Sequence, residues 1–150
     1  MFECSTAKIT EKDRALNLIS LKFHKARLSY KLLVTIARCC SNLEELEVSS
    51  MQTVDDRFLS MVAWNCGRLQ SINLNGCYWA TDKGICELAR KCPLREIRVR
   101  ATGCTDKCVY VLAQFCTGLE WISHADYSGK PTFSNEALDV LRQSCVQRVG

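Results

Sequence analysis

The sequence predicts an α/β solenoid: a curved parallel sheet of about five short strands, each followed by a helix that returns the chain to the next. Three observations predict it. An apolar ladder, L-x-x-I/L-x-L/V, recurs as Leu43, Leu46, Val48, then Leu69, Ile72, Leu74, then Leu94, Ile97, Val99, with Leu18, Leu21, Phe23 before it and Leu119, Ile122 after it. The lead leucines at 18, 43, 69, 94 and 119 are 25, 26, 25 and 25 residues apart. Five cysteines, Cys40, Cys66, Cys92, Cys116 and Cys145, close five apolar segments in the same register.

That spacing lies inside the window of leucine-rich repeats, so the predicted fold class is a leucine-rich repeat solenoid, a right-handed β-α superhelix. A unit of this kind cannot bury its apolar face alone and is stabilised by stacking on its neighbours. The array is placed at 15–145, after an N-terminal extension or partial cap at 1–14 and before a short tail at 146–150. A strand beyond Cys145 is not expected. In the clearest copy, residues 66–91, alternation puts Ile72 and Leu74 on one side of a strand and Ser71, Asn73 and Asn75 on the other. Thr81 or Asp82 offers the helix N-cap. Counting back from the cysteines, Ala37, Ala63, Ala89 and Ala113 stand three residues earlier and Ile36, Val62, Leu88, Leu112 and Leu141 four earlier. Leu33, Leu59, Ile85, Val109 and Leu138 stand seven earlier, so each helix presents one apolar face. In the last repeat His124 takes the place of Val48, Leu74 and Val99, and the segment 127–133 is longer and rich in turn residues.

Composition narrows the function. At 150 residues with 47% apolar content, one continuous core is affordable and a second domain does not fit. The net charge of +4 is spread along the chain without a block of like charges, so neither a nucleic acid nor a membrane is the expected partner. No apolar stretch resembles a signal peptide or a transmembrane helix, which predicts a cytoplasmic or nuclear location. The eleven cysteines are then expected to be reduced. With no C-x-x-C pair and only His24 and His124 for imidazole, neither a metal site nor a cofactor is expected. No nucleotide loop or paired acid and base suggests an enzyme. Cys116, His124 and Asp126 lie close in sequence as a nominal triad, but a small apolar filler role suits the register cysteines better than a nucleophile role. Cys39 and Cys4 are expected to be the exposed thiols.

The segments CSNLEELEVSS, CGRLQSINLNGCYWATDKGICELARKC and CTGLEWI resemble the cysteine-containing class of leucine-rich repeat, C-x-x-L-x-x-L-x-L-x-x-C followed by T-D-x-G and a helix. That class is characteristic of F-box leucine-rich-repeat proteins and of the antagonist of mitotic exit network. The resemblance implies recognition of a protein ligand and an association with cullin-based ubiquitin ligation. The second cysteine of the pattern stands only at Cys77; Met51, Thr102 and Tyr127 occupy the equivalent places. No F-box is visible ahead of the first ladder, so any association with a ligase is expected to be indirect, in a fragment, a short isoform or a member that works without the box. A regulatory or scaffold repeat protein with no ligase connection is the alternative.

Because outward strand residues have no core role, they form the expected binding surface: Glu45 and Glu47, Asn73 and Asn75, Arg98 and Arg100, and Trp121. The mixture of acidic, neutral, basic and aromatic groups suits a protein ligand. Trp121 and the arginines are of the residue types enriched among hot spots.

Overall fold

A computed structural model describes residues 18–145 and 148–150. The expected 1–14 extension and Cys4 lie outside the described residues. Strands and helices alternate as β1 (Ser20–His24), α1 (Tyr30–Cys39), β2 (Glu45–Ser49), α2 (Asp56–Asn65), β3 (Ser71–Asn73), α3 (Asp82–Lys91), β4 (Glu96–Arg98), α4 (Asp106–Phe115), β5 (Trp121–Ser123), α5 (Asn135–Ser144) and β6 (Arg148–Val149). The strands form one sheet in chain order, and every neighbouring pair is parallel. Leu21, Leu46, Ile72, Ile97 and Ile122 sit side by side across it, so the ladder seen in sequence is the register of the sheet. β6 is a difference from expectation. Two residues carry no detectable alternation, yet they extend the ladder by pairing with Trp121 and Ile122 where a tail was anticipated.

The core lies between sheet and helices, and all the helix positions picked out by counting back from the cysteines are buried. Helix starts are capped by Ser29, Asp55, Thr81, Thr105 and Ser134, each accepting a backbone N–H from the first turn. The five register cysteines are the C-caps, with their N–H groups bonded to the carbonyl four residues back. Three of their thiols join neighbouring repeats: Sγ of Cys66 donates to the carbonyl of Cys40 at 3.3 Å, Cys92 to Cys66 at 3.5 Å, and Cys116 to Ala89 at 3.5 Å, while Cys145 Sγ donates to Leu141 O of its own helix at 3.7 Å. Small size and a weak S–H donor suit cysteine to a place where a helix end meets the previous repeat.

An aspartate series runs parallel to the thiols. The first residue of α2, Asp56, accepts from Thr81 N (2.8 Å), Thr81 Oγ1 (2.6 Å) and Gly84 N (3.1 Å) of the next repeat. Asp82 accepts from Thr105 N and Oγ1, and Asp106 from Ser134 N. Each carboxylate thus lies at a helix N-terminus, where negative charge is favoured, and holds the following cap in place.

β3, β4 and β5 stop two residues short of the expected 71–75, 96–100 and 121–125. The chain leaves most strands through a left-handed residue at one repeated position: Lys25 (φ 50°), Ser50 (58°), Gly76 (74°) and Ala101 (51°). A residue with a Cβ costs about 1–2 kcal/mol there. Gly76→Ala should therefore lower stability by about 1–3 kcal/mol, because its Cβ would also meet Tyr127 Oη at 2.8 Å and Ser50 Oγ at 2.9 Å. Ala101→Gly should do the opposite, by about 0.5 kcal/mol once the greater freedom of unfolded glycine is counted. Urea denaturation of both variants measures the contrast; equal and opposite signs reversed from these would remove the strain argument.

Candidate protein-binding face

The outward face of the sheet is organised in rows set by the parallel register. One row runs Ser20, Glu45, Ser71, Glu96, Trp121, and the next Lys22, Glu47, Asn73, Arg98, Ser123. Neighbours in a row are about 4.8 Å apart at the backbone, so their side chains interact directly. At one end Glu45 is paired with Lys22 Nζ at 2.7 Å and accepts from Ser20 Oγ at 2.7 Å. The Lys22 hydrogen bond, followed by that of Ser20, holds the Glu45 carboxyl below its ordinary value. Glu47 stands beside them, half-buried.

At the other end the Arg98 guanidinium lies over the Trp121 ring, 4.7 Å from its centroid, and its Nη2 is 3.8 Å from Glu96. Both residues are half-buried, and the lower edge of Trp121 faces Gly150. A guanidinium stacked on indole is worth about 0.5–1 kcal/mol at an exposed site and more when desolvated, so a partner that covers it strengthens it. Trp121 lies on the last strand but one, paired with Arg148 of β6, and keeps part of its ring open to solvent.

The remaining three expected residues are built into the scaffold. Asn73 Oδ1 accepts from Asn75 N at 3.0 Å, and Asn75 Oδ1 accepts from Arg100 N at 3.0 Å. Arg100 turns away from the row, donating from Nε to Ala125 O at 2.9 Å and from Nη2 to Asp126 O at 3.1 Å, with its guanidinium near the Tyr127 ring. It braces the long loop before α5. Ser49 and Ser123, also outward by strand alternation, are buried.

The nominal triad is not assembled. Cys116 donates to Ala89, Asp126 accepts from Ser128 and Lys130, and no hydrogen bond joins either to His124 among the described residues. His124 is a core residue stacked on Phe133, with an unpartnered Nδ1 and a pKa lowered first by burial and then by Arg142. Burial moves Cys116 up to about 12, away from nucleophilic use.

Two features escaped the sequence reading. Trp64, Trp79, Tyr78 and Tyr127 are exposed large aromatics, Trp64 with Lys91 Nζ 3.9 Å from its centroid. Trp79 lines an open groove of about 550 Å³ with Tyr30, Gln52 and Arg57, beyond the strand ends. Helix and loop residues are not revealed by strand alternation. The second feature is a set of Asp82, Cys104 and Cys108, whose ligand-type atoms lie within 4.8 Å of one another.

No protein-family model matches the chain. It is 32% identical to F-box/LRR-repeat protein 4 of Bos taurus over 78 residues, which is 51% of this chain and 13% of that protein. Among solved structures, the tropomodulin C-terminal domain from Caenorhabditis elegans superposes with a TM-score of 0.59, covering 82% of each chain at 14% identity. That likeness concerns fold alone. Among the described residues no helix is long and apolar enough to cross a membrane. With its parallel register, stacked strand–helix units and cysteine-capped helices, the chain is a leucine-rich-repeat-like solenoid, similar over half its length to an F-box/LRR-repeat protein.

Proposed function

We propose that the chain is a non-catalytic protein-interaction module that takes a segment of another protein across the outer face of its sheet. The observation that carries this reading is the Arg98–Trp121 stack at one end of a face whose other end presents Glu45 and Glu47. Such a face favours a ligand with an acidic or aromatic group near β4 and β5 and a basic one near β2, because complementary charge fixes register and rejects mismatched partners. The similarity to an F-box/LRR-repeat protein supports the further reading that the bound protein is thereby brought to a cullin-based ubiquitin ligase, through an indirect association, in the cytoplasm or nucleus.

Affinity capture from cell extract, with mass spectrometry, tests both parts. The wild-type chain should retain a specific set of proteins that Trp121→Ala loses, with cullin or its adaptor recovered alongside them. Identical sets from the two baits would reject the face as the site. Specific partners without any ligase component would leave a scaffold function and remove the ubiquitination link.

A further inference from the structure

The aspartate series has a different chemical setting at one of its steps. Around Asp56 the next repeat places Ala80 just before the N-cap and Gly84 three residues after it. Around Asp106 the corresponding residues are Phe133 and Ala137. Around Asp82 they are Cys104 and Cys108. One turn further along the helix that carries each aspartate stand Ser60, Cys86 and Tyr110 respectively. Two thiols therefore gather at one carboxylate, with a third cysteine one turn along its helix, although the other steps of the series close without any. None of the three belongs to the register cysteines that join the helix ends.

Their placement is that of ligands. Asp82, Cys104 and Cys108 offer one oxygen and two sulfurs, all within 4.8 Å of one another. Four ligands at Zn–S and Zn–O bond lengths are about 3.3–3.8 Å apart in a tetrahedron, so contraction by about 1 Å, within reach of side-chain rotation, closes the set. Cys104 and Cys108 are buried, and Asp82 is half-buried at the mouth. The carboxylate is already oriented: Thr105 donates from its N to Oδ1 at 2.8 Å and from Oγ1 to Oδ2 at 2.5 Å. Such an outer hydrogen bond is what holds metal-ligating carboxylates in place. The thiols also touch backbone carbonyls, Cys108 Sγ to Thr105 O at 3.2 Å and Cys104 Sγ to Ala80 O at 3.8 Å.

We propose that Asp82, Cys104 and Cys108 bind a soft divalent cation of the zinc class, with the fourth tetrahedral position left to solvent. Two thiolates with one carboxylate select a d¹⁰ ion that tolerates sulfur and has no demand for octahedral oxygen. The ion ties α3 to the start of α4, across one repeat junction. It releases the thiol protons on binding, so affinity falls as the solution becomes more acidic. The C-x-x-x-C spacing of Cys104 and Cys108 gave no metal signature in the sequence, because the third ligand comes from the preceding repeat.

The test uses the full chain, reduced and freed of metal. Zn²⁺ titration against a chromophoric chelator should give one tight ion per chain, and Cd²⁺ should produce an ultraviolet thiolate-to-metal charge-transfer band. The double variant Cys104→Ala/Cys108→Gly, which installs the residues of the preceding repeat, should lose affinity by more than about a hundredfold, the upper end of what losing an outer-shell partner alone costs. Cys92→Ala, at a register thiol, should keep it. Should the double variant fail to fold by circular dichroism, Cys104→Ser and Cys108→Ser are read in its place. X-ray absorption of the zinc-loaded wild type should give two sulfur neighbours. Equal affinity in the variants, a sulfur-free shell, or zinc held no better than by Cys92→Ala with its thiols blocked each overturns the site.

Discussion

Raising the pH from 9 towards 12 will unfold the protein steeply, and the register cysteines are the reason. The thiols of Cys66, Cys92 and Cys116 are buried, and burial, reinforced by neighbouring thiols, moves each from an ordinary value of 9.0 to about 12. The unfolded chain gives up these protons near pH 9, whereas the folded chain holds them until about pH 12. The unfolded state therefore binds fewer protons throughout that window. Stability is fully present below pH 9 and falls as pH rises through it. One thiol contributes up to about 1.4 kcal/mol per pH unit, and three together about 4 kcal/mol per pH unit. A domain with about 5–15 kcal/mol in hand loses it within a few units. Buried Cys40 and Cys77, also raised by burial, act in the same direction. Urea midpoints at pH 8, 9, 10 and 11 give the slope, and Cys92→Ala should shallow it by up to about 1.4 kcal/mol per pH unit. A flat profile to pH 11 would mean that these thiols are not desolvated.

The array was legible in sequence because a solenoid repeats one local instruction. Leu46, Ile72, Ile97 and Ile122 face the core at fixed spacing, and the same alternation that marks a strand states its register. Helix faces followed from counting back to each cysteine. What escaped was everything decided between repeats. Strand alternation assigns Asn75 and Arg100 outward, but the left-handed residue after each strand turns the backbone there, and their polar groups are spent on adjacent loops. The links from Asp56 to Thr81 and from Asp82 to Thr105 span more than twenty residues, beyond any local pattern. β6 is two residues long and becomes a strand only by pairing with β5. Of the seven expected binding residues, Glu45, Glu47, Arg98 and Trp121 remain on the open face, while Asn73, Asn75 and Arg100 make scaffold bonds.

That division predicts how the proposed binding face responds to mutation. Once a partner has been captured, Trp121→Ala should weaken its binding by about thirtyfold or more, the loss of about 2 kcal/mol that marks a hot spot. Arg98→Ala should cost a similar amount. The double variant should fall short of the product of the two, because the guanidinium rests 4.7 Å from the ring centroid and each truncation already removes the stack. Neither change opens the core, since Ile72, Ile97 and Ile122 lie on the opposite side of the sheet. Urea midpoints should accordingly move by less than about 1 kcal/mol, as for surface substitutions. Arg100→Ala should behave in the opposite way, losing stability with its two carbonyl contacts and leaving a smaller direct effect on affinity. Isothermal titration of the four proteins separates these outcomes. Additive losses at Arg98 and Trp121 would show that they do not act as one stacked anchor. Unchanged affinity in both single variants, with Arg100→Ala alone impaired, would move the contact from the sheet face to the loop that Arg100 holds.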